Sequence, residues 1–117
     1  MAILAIDQGT SATKAIVLDD DFKVIAKATA ALPTEHNQSG SATTTGELMW
    51  QSVVDAINQV LNTTSEKITA VGLANQGESI LAWDKKTAKP LTPIIIWQDS
   101  RSASLCESRK EHSEFVL

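Results

Sequence analysis

An apolar run from Ala2 to Ile6 is cut by Asp7-Gln8-Gly9-Thr10-Ser11, and a second run, Lys14-Ala15-Ile16-Val17-Leu18, comes after it. Short continuous apolar runs bounded by turn residues read as strands, here buried on both faces. Asp19-Asp20-Asp21 makes a second turn, and Phe22 to Ala30 continues with period two. Phe22, Val24 and Ala26 fall on one side of it, Lys23 and Lys27 on the other, as in a strand with one wet face. Three strands joined by such short turns predict a β-meander.

The next stretch changes period. Residues 33 to 46 are polar and rich in Ser, Thr, Gly and Asn, which predicts a loop. Thr44-Thr45-Gly46-Glu47 fits a capping box with Thr44 as N-cap. Met49, Val53, Ile57, Val60 and Leu61 then recur at helical spacing, predicting a helix that ends near Asn62-Thr63-Thr64. Ile68 to Leu73 reads as a strand that can lie parallel to an earlier one, because a helix precedes it. Ile80 to Trp83 is short and strand-like, and Pro90 and Pro93 make their stretch an edge or irregular strand. Ile94-Ile95-Ile96-Trp97 is an apolar run expected to be buried. Asp99 is placed to N-cap a last helix reaching about His112.

Composition narrows the function classes. The chain has 117 residues, enough for one domain, with 43% hydrophobic and 21% charged residues. Acidic residues outnumber basic ones by 14 to 10, a net charge of -4, which argues against a general nucleic-acid or anionic-membrane binder. Cys106, the single cysteine, has no partner for an internal disulfide. No stretch approaches the roughly 18 apolar residues that cross a membrane. The N-terminus lacks the basic lead of a signal peptide. The expectation is a soluble, cytoplasmic protein. The apolar ending Phe115-Val116-Leu117 predicts either a further segment that covers it or packing back on this domain.

The chemistry concentrates in residues 7 to 14. Neither a P-loop nor a dinucleotide fingerprint is present. Gly9 permits a tight turn and close approach to a ligand. The N–H groups of Gly9, Thr10 and Ser11 can converge on an anion. Thr10, Ser11 and Thr13 add hydroxyl donors, and Lys14 adds a positive charge. Asp7 repels phosphate but can hold Mg2+, usually through water. An ordinary hairpin turn would also explain Gly9. It does not call for an acid at the end of an apolar strand followed by three hydroxyls and a lysine, so phosphate binding is the favoured reading.

These residues resemble a known family. Asp7-Gln8-Gly9-Thr10-Ser11-Ala12-Thr13-Lys14 is similar to the first phosphate loop of the FGGY carbohydrate kinases, Asp-x-Gly-Thr-Ser/Thr-x-x-Lys/Arg. Gly72-Leu73-Ala74-Asn75-Gln76-Gly77-Glu78 resembles the Gly-Ile/Leu-x-Asn-Gln-Arg-Glu stretch of glycerol kinases. Trp83-Asp84 with Lys89-Pro90-Leu91 resembles a family hairpin, and Ile96-Trp97-Gln98-Asp99-Ser100-Arg101 its Val/Ile-Trp-Gln/Asn-Asp-x-Arg segment. The four fall in the family's order and cover almost the whole chain.

The resemblance implies an α/β fold with an actin-like ATPase (ribonuclease H-like) core, a three-stranded meander followed by a helix and further strands. Residues 1–117 would form the first part of the family's N-terminal domain, a partial domain without the C-terminal ATP domain. The implied activity is ATP-dependent phosphorylation of a sugar or polyol hydroxyl. The catalytic aspartate base is expected downstream, so the chain alone would be inactive. The alternative is a non-catalytic actin-like module that binds nucleotide or a partner.

By motif match, Asp7, Gly9, Thr10, Ser11, Thr13 and Lys14 would hold ATP, with Asp7 as the Mg2+-associated acid. Gln76, Gly77, Glu78, Trp97 and Asp99 would line the sugar site. Gly77 stands where glycerol kinases carry an arginine that helps hold the polyol, which implies a larger sugar, ketose or polyol. Trp97 serves equally as a site wall or as core, and Asp99 as a substrate contact or an N-cap. Arg101 pairs with a nearby carboxylate on either reading. His36 is expected to be solvated and Cys106 to pack a helix. The full-length protein is a possible homo-oligomer.

Overall fold

Alternation within the first strand sets the layering. In β1 (Ala2–Gln8) the side chains of Ala2, Leu4, Ile6 and Gln8 are buried, Ile3 and Ala5 are half-buried, and Asp7 is exposed. One face therefore packs on a core and the other is partly open, which corrects the expectation of a strand buried on both sides. The computed structural model describes residues 1–110. β1 pairs antiparallel with β2 (Ala12–Leu18), and β2 pairs antiparallel with β3 (Val24–Ala31), completing the meander. Phe22 lies in the turn before β3 at φ 59, 73% exposed, rather than in the strand.

After the meander come β4 (Glu35–His36), β5 (Ala42–Thr44) and α1 (Gly46–Leu61). The segment expected to be a loop thus holds a small hairpin, because its polar composition hides two short pairings, Glu35 with Thr43 and His36 with Ala42. The helix is capped by Thr45, whose hydroxyl accepts from the Leu48 N–H at 3.2 Å. Thr44 is buried instead, donating its hydroxyl to the Pro33 carbonyl at 2.7 Å, so the expected capping box does not form.

The centre of the buried helix face is Ser52, Ala56 and Val60, flanked by half-buried Val53 and Ile57, while Leu61 at the far edge is exposed. Small residues bring the helix close to the sheet. Ala56 and Val60 join Leu4, Ile6, Ala15, Val17, Ala26 and Ala30 in one core. Burying each larger aliphatic side chain there contributes about 1.5–3 kcal/mol.

β6 (Ile68–Asn75) lies parallel to β1 as expected, giving a four-stranded sheet in the order β3-β2-β1-β6. The crossover through α1 makes the parallel pairing possible. α1 packs over β2 and β3 and scarcely reaches β6. Val71 and Leu73 are therefore 63% and 68% exposed, despite the strand's apolar sequence.

β7 (Ile94–Ile95) joins β5 to make a second, three-stranded sheet around Ala42, Ile94, Ile96 and half-buried Met49. Single bridges join Ile80 to Ile95 and Trp83 to Pro90, so the short strand expected there is a loose hairpin. The last described helix is α2 (Ala103–Ser108), preceded by Ser102 rather than capped by Asp99. Cys106 on it is exposed, not packed. The expected helix end at His112 and the apolar residues Phe115, Val116 and Leu117 lie outside the described residues. Among the described residues, no helix is long and apolar enough to cross a membrane.

Candidate functional site

The turn between β1 and β2 is tighter than its polar sequence suggests. The strands stay paired out to Gln8 and Thr13, leaving only residues 9 to 12 to reverse the chain. The Gly9 N–H donates to the Ala12 carbonyl at 3.0 Å, and a Cβ on Gly9 would sit 3.0 Å from that same oxygen. Glycine is needed there for close approach rather than for a left-handed backbone. This N–H closes the turn and is not free for an anion, a correction to the three-donor cradle. Among the described residues, the N–H groups of Thr10 and Ser11 have no hydrogen-bond partner. Both are open to a ligand.

Strand parity decides where the remaining side chains go. Asp7 pairs across the ladder with Lys14, and both are exposed on the face away from α1. They border a hollow of about 350 Å³ with Ala5, Ile6, Ile16 and Ala74. Thr13, one residue earlier than Lys14, points the opposite way. It is fully buried, and its Oγ1 lies 2.7 Å from Ser52 Oγ on α1. Ser52 spends its own proton on the Met49 carbonyl at 2.8 Å, so Thr13 is the donor of that pair. Thr13 is a core residue and leaves the set of phosphate donors, because side chains of adjacent strand residues face opposite sides of the sheet.

The parallel register of β6 brings a second segment beside the turn. Asn75 aligns with Gln8, and the Gln76 N–H continues the ladder to the Gln8 carbonyl at 2.9 Å. The Gln76 side-chain amide lies 3.4 Å from both Gln8 Oε1 and the Gly9 carbonyl. Gly77 has open space where a Cβ would stand. Glu78 adopts φ 63, a left-handed conformation that costs a residue with a Cβ about 1–2 kcal/mol. Such strain tends to gather at binding sites.

Glu78, Trp97, Asp99 and Arg101 share the rim of a hollow of about 560 Å³, with Ile80, Ile95 and Ile96 among its apolar lining. Gln76 and Gly77 are not part of that lining; they sit between the hollow and the turn. The Asp99 carboxylate is largely spoken for. It accepts from the Ala42 N–H at 2.9 Å, from the Arg101 N–H at 3.1 Å, and from the Arg101 guanidinium through Nε and Nη2 at 2.9 Å each. Its side chain is 8% exposed. The bond to the Arg101 side chain, followed by the Ala42 N–H, holds its pKa down at about 2. Asp99 anchors the wall of the hollow to β5, and it neither caps α2 nor stands as a free acceptor.

Trp97 joins the two regions. Its indole Nε1 donates to Thr10 Oγ1 at 2.8 Å, across 87 positions of chain. Its backbone N–H donates to Ser79 Oγ at 3.1 Å, and Ser79 in turn donates to Gln76 Oε1 at 2.9 Å. At 53% exposure Trp97 is a wall and not core. Ser79 has no counterpart among the residues expected from sequence, because a lone serine after a glutamate carries no signal of its own. His36 is exposed, as expected. Among the described residues, no three His, Cys, Asp or Glu side chains gather into a metal cluster.

The sequence profile of the FGGY family of carbohydrate kinases, N-terminal domain, matches residues 2–115. The chain belongs to that family. An apulose kinase of Pectobacterium atrosepticum is 37% identical over 116 residues, covering 98% of this chain and 23% of the relative. A glycerol kinase of Rhizobium meliloti is 37% identical over 112 residues, covering 93% of this chain and 22% of the relative. The chain therefore spans less than a quarter of these family members.

Solved FGGY structures superpose on it closely. A gluconate kinase from Lactobacillus acidophilus matches with TM-score 0.87 at 25% identity, over 95% of this chain and 22% of that one. The glycerol kinase of Plasmodium falciparum with ADP matches with TM-score 0.83 at 26% identity, over 92% and 22%. The architecture is the actin-like ATPase fold in part, a meander followed by a helix and a parallel strand.

Proposed function

We propose that the full-length protein transfers the γ-phosphoryl group of ATP to a hydroxyl of a sugar or polyol, and that this chain supplies one phosphate turn and part of the acceptor site. The observation that carries the reading is the hydrogen bond from Trp97 to Thr10. It joins a turn with two open N–H groups to a hollow rimmed by Glu78. A phosphate tail and a hydroxylated acceptor would thereby meet at one place.

Phosphoryl transfer needs positioning and charge neutralisation more than covalent help from the protein. The Thr10 and Ser11 N–H groups and hydroxyls would donate to phosphate oxygens, each charge-assisted bond contributing about 1.5–3 kcal/mol. Lys14 adds a cation beside them. Glu78 would accept from acceptor hydroxyls, and the indole of Trp97 offers an apolar face to the sugar ring. The proton of the attacking hydroxyl would go to a base supplied from outside this chain.

Asp7 fits a Mg2+ ion that arrives with the nucleotide. It is exposed, beside Lys14, and among the described residues has no acidic neighbours that would form a resident metal cage. It would hold such an ion through water, and the ion would supply charge neutralisation on the phosphates. Gly77, next to Glu78 in the chain, adds no side chain beside the hollow, in keeping with an acceptor larger than glycerol.

The test is Asp7→Ala in the full-length protein, with ADP release measured against a panel of sugars and polyols. Turnover should fall at least about a hundredfold, the scale on which losing a charge-neutralising group slows such a transfer, while the circular dichroism spectrum is kept. Undiminished turnover would refute the role of Asp7. A wild-type protein that binds ATP yet phosphorylates nothing on the panel would favour the non-catalytic module.

A further inference from the structure

A chain of polar contacts closes a ring between the phosphate turn and the acceptor hollow. The Trp97 indole N–H reaches Thr10 Oγ1, and the Trp97 backbone N–H reaches Ser79 Oγ. Ser79 donates to Gln76 Oε1, Gln76 Nε2 lies over the Gly9 carbonyl, and Gly9 leads back to Thr10. The direction of each bond is set by chemistry. An indole nitrogen can only donate, so Thr10 Oγ1 is the acceptor and its own proton must point elsewhere. A backbone N–H can only donate, so Ser79 accepts from Trp97 and turns its proton to Gln76. That orients the Gln76 amide with its nitrogen toward Gly9.

The consequence falls on Thr10. A hydroxyl that already accepts a hydrogen bond is polarised and becomes a better donor. Its own proton is then left free for a ligand of the turn, as are the Thr10 and Ser11 N–H groups, which have no partner among the described residues. From this geometry, and resting on the kinase reading, we infer that Trp97 and Ser79 are positioning residues for the phosphate turn. The Trp97 indole N–H, held in place by Ser79, fixes the Thr10 hydroxyl as a phosphate donor. Because the same indole borders the hollow beside Glu78, an acceptor that orders Trp97 tightens the nucleotide site. A tryptophan serving only as a sugar wall would need its ring but not its N–H.

Trp97→Phe in the full-length protein separates the two roles, since it keeps an aromatic ring and removes the donor. Binding is read by calorimetry with magnesium–AMPPNP, with and without saturating D-xylulose or glycerol, and KM values for ATP and for the acceptor are taken in parallel. Trp97→Phe should weaken nucleotide binding about fivefold to tenfold, the loss of one net hydrogen bond, and raise the ATP KM to match. The acceptor KM should move by less than about twofold, because the ring that would wall the acceptor is kept. Thr10→Val removes the donor itself and should lose at least as much, the double variant should be no worse than Thr10→Val alone, and Thr10→Ser should restore binding. Ser79→Ala should weaken nucleotide binding in the same sense. Additive losses, or a Trp97→Phe effect confined to the acceptor KM, would overturn the inference. If the wild type phosphorylates an acceptor while Trp97→Phe binds nucleotide normally, this inference alone falls. If the wild type binds no nucleotide at all, the kinase reading falls with it.

Discussion

Thr13 gives the sharpest test of the geometry, because sequence pattern and structure assign it to different jobs. Its hydroxyl is fully buried and donates to Ser52 Oγ at 2.7 Å, and Ser52 donates onward to the Met49 carbonyl at 2.8 Å. Thr13→Val removes a donor and leaves Ser52 with its onward bond, so it should cost about 0.5–1.5 kcal/mol. Ser52→Ala strands the Thr13 proton in the core and should cost about 1–3 kcal/mol. Replacing both removes the pair cleanly and should cost about 1 kcal/mol or less, well below the sum of the singles. Native-state hydrogen exchange of α1 and β2 peptides in the full-length protein reads these differences locally. Nucleotide affinity should be unchanged in Thr13→Val. A clear loss of affinity with unaltered exchange would return Thr13 to the phosphate turn and refute the parity argument.

Three further outcomes are expected. Ala88 sits at φ 56 in the turn of the Trp83–Pro90 hairpin, so Ala88→Gly should relieve strain and raise stability by about 0.5–1 kcal/mol, seen as a higher melting temperature; a lower one would sink the strain argument. Asp99 is lowered from 3.8 to about 2, so the stability it contributes is present above 3.8 and is lost as pH falls through about 2. The stability gap between wild type and Asp99→Asn should therefore shrink on acidification across that window; a gap that stays constant in an acid titration of exchange rates would contradict it. Gly77 has open space at its missing Cβ, so Gly77→Arg should fold normally and shift preference toward small polyols, and an unchanged ratio of kcat/KM values on the acceptor panel would remove Gly77 from specificity.

The meander, the helix, the parallel strand and the position of the turn between β1 and β2 are all legible from period and turn residues. Those signals are local, so a window of a few residues carries them. The errors share a different cause. Thr45 caps α1 although Thr44 lies one residue away with the same hydroxyl, and choosing between them depends on which one the Pro33 carbonyl captures. β4 and β5 are too short to show a period, and they exist because each pairs with a partner elsewhere in the chain. Asp99 has the chemistry of a cap, but Ala42 and Arg101 take its oxygens first.

The family, the order of its motifs and the acid, glycine and hydroxyls of the turn can all be written down from residue types, because each is a property of neighbours in the chain. Which of those hydroxyls turns outward follows from the pairing of Asp7 with Lys14, and a shift of one residue would have exchanged Thr13 with its neighbour. The bond from Trp97 to Thr10 and the ring through Ser79 exist only after a parallel crossover and a second sheet bring distant segments within hydrogen-bonding distance of each other. Hydrogen bonds act over one atomic contact, and no spacing in the chain foretells a contact between residues that folding alone makes adjacent.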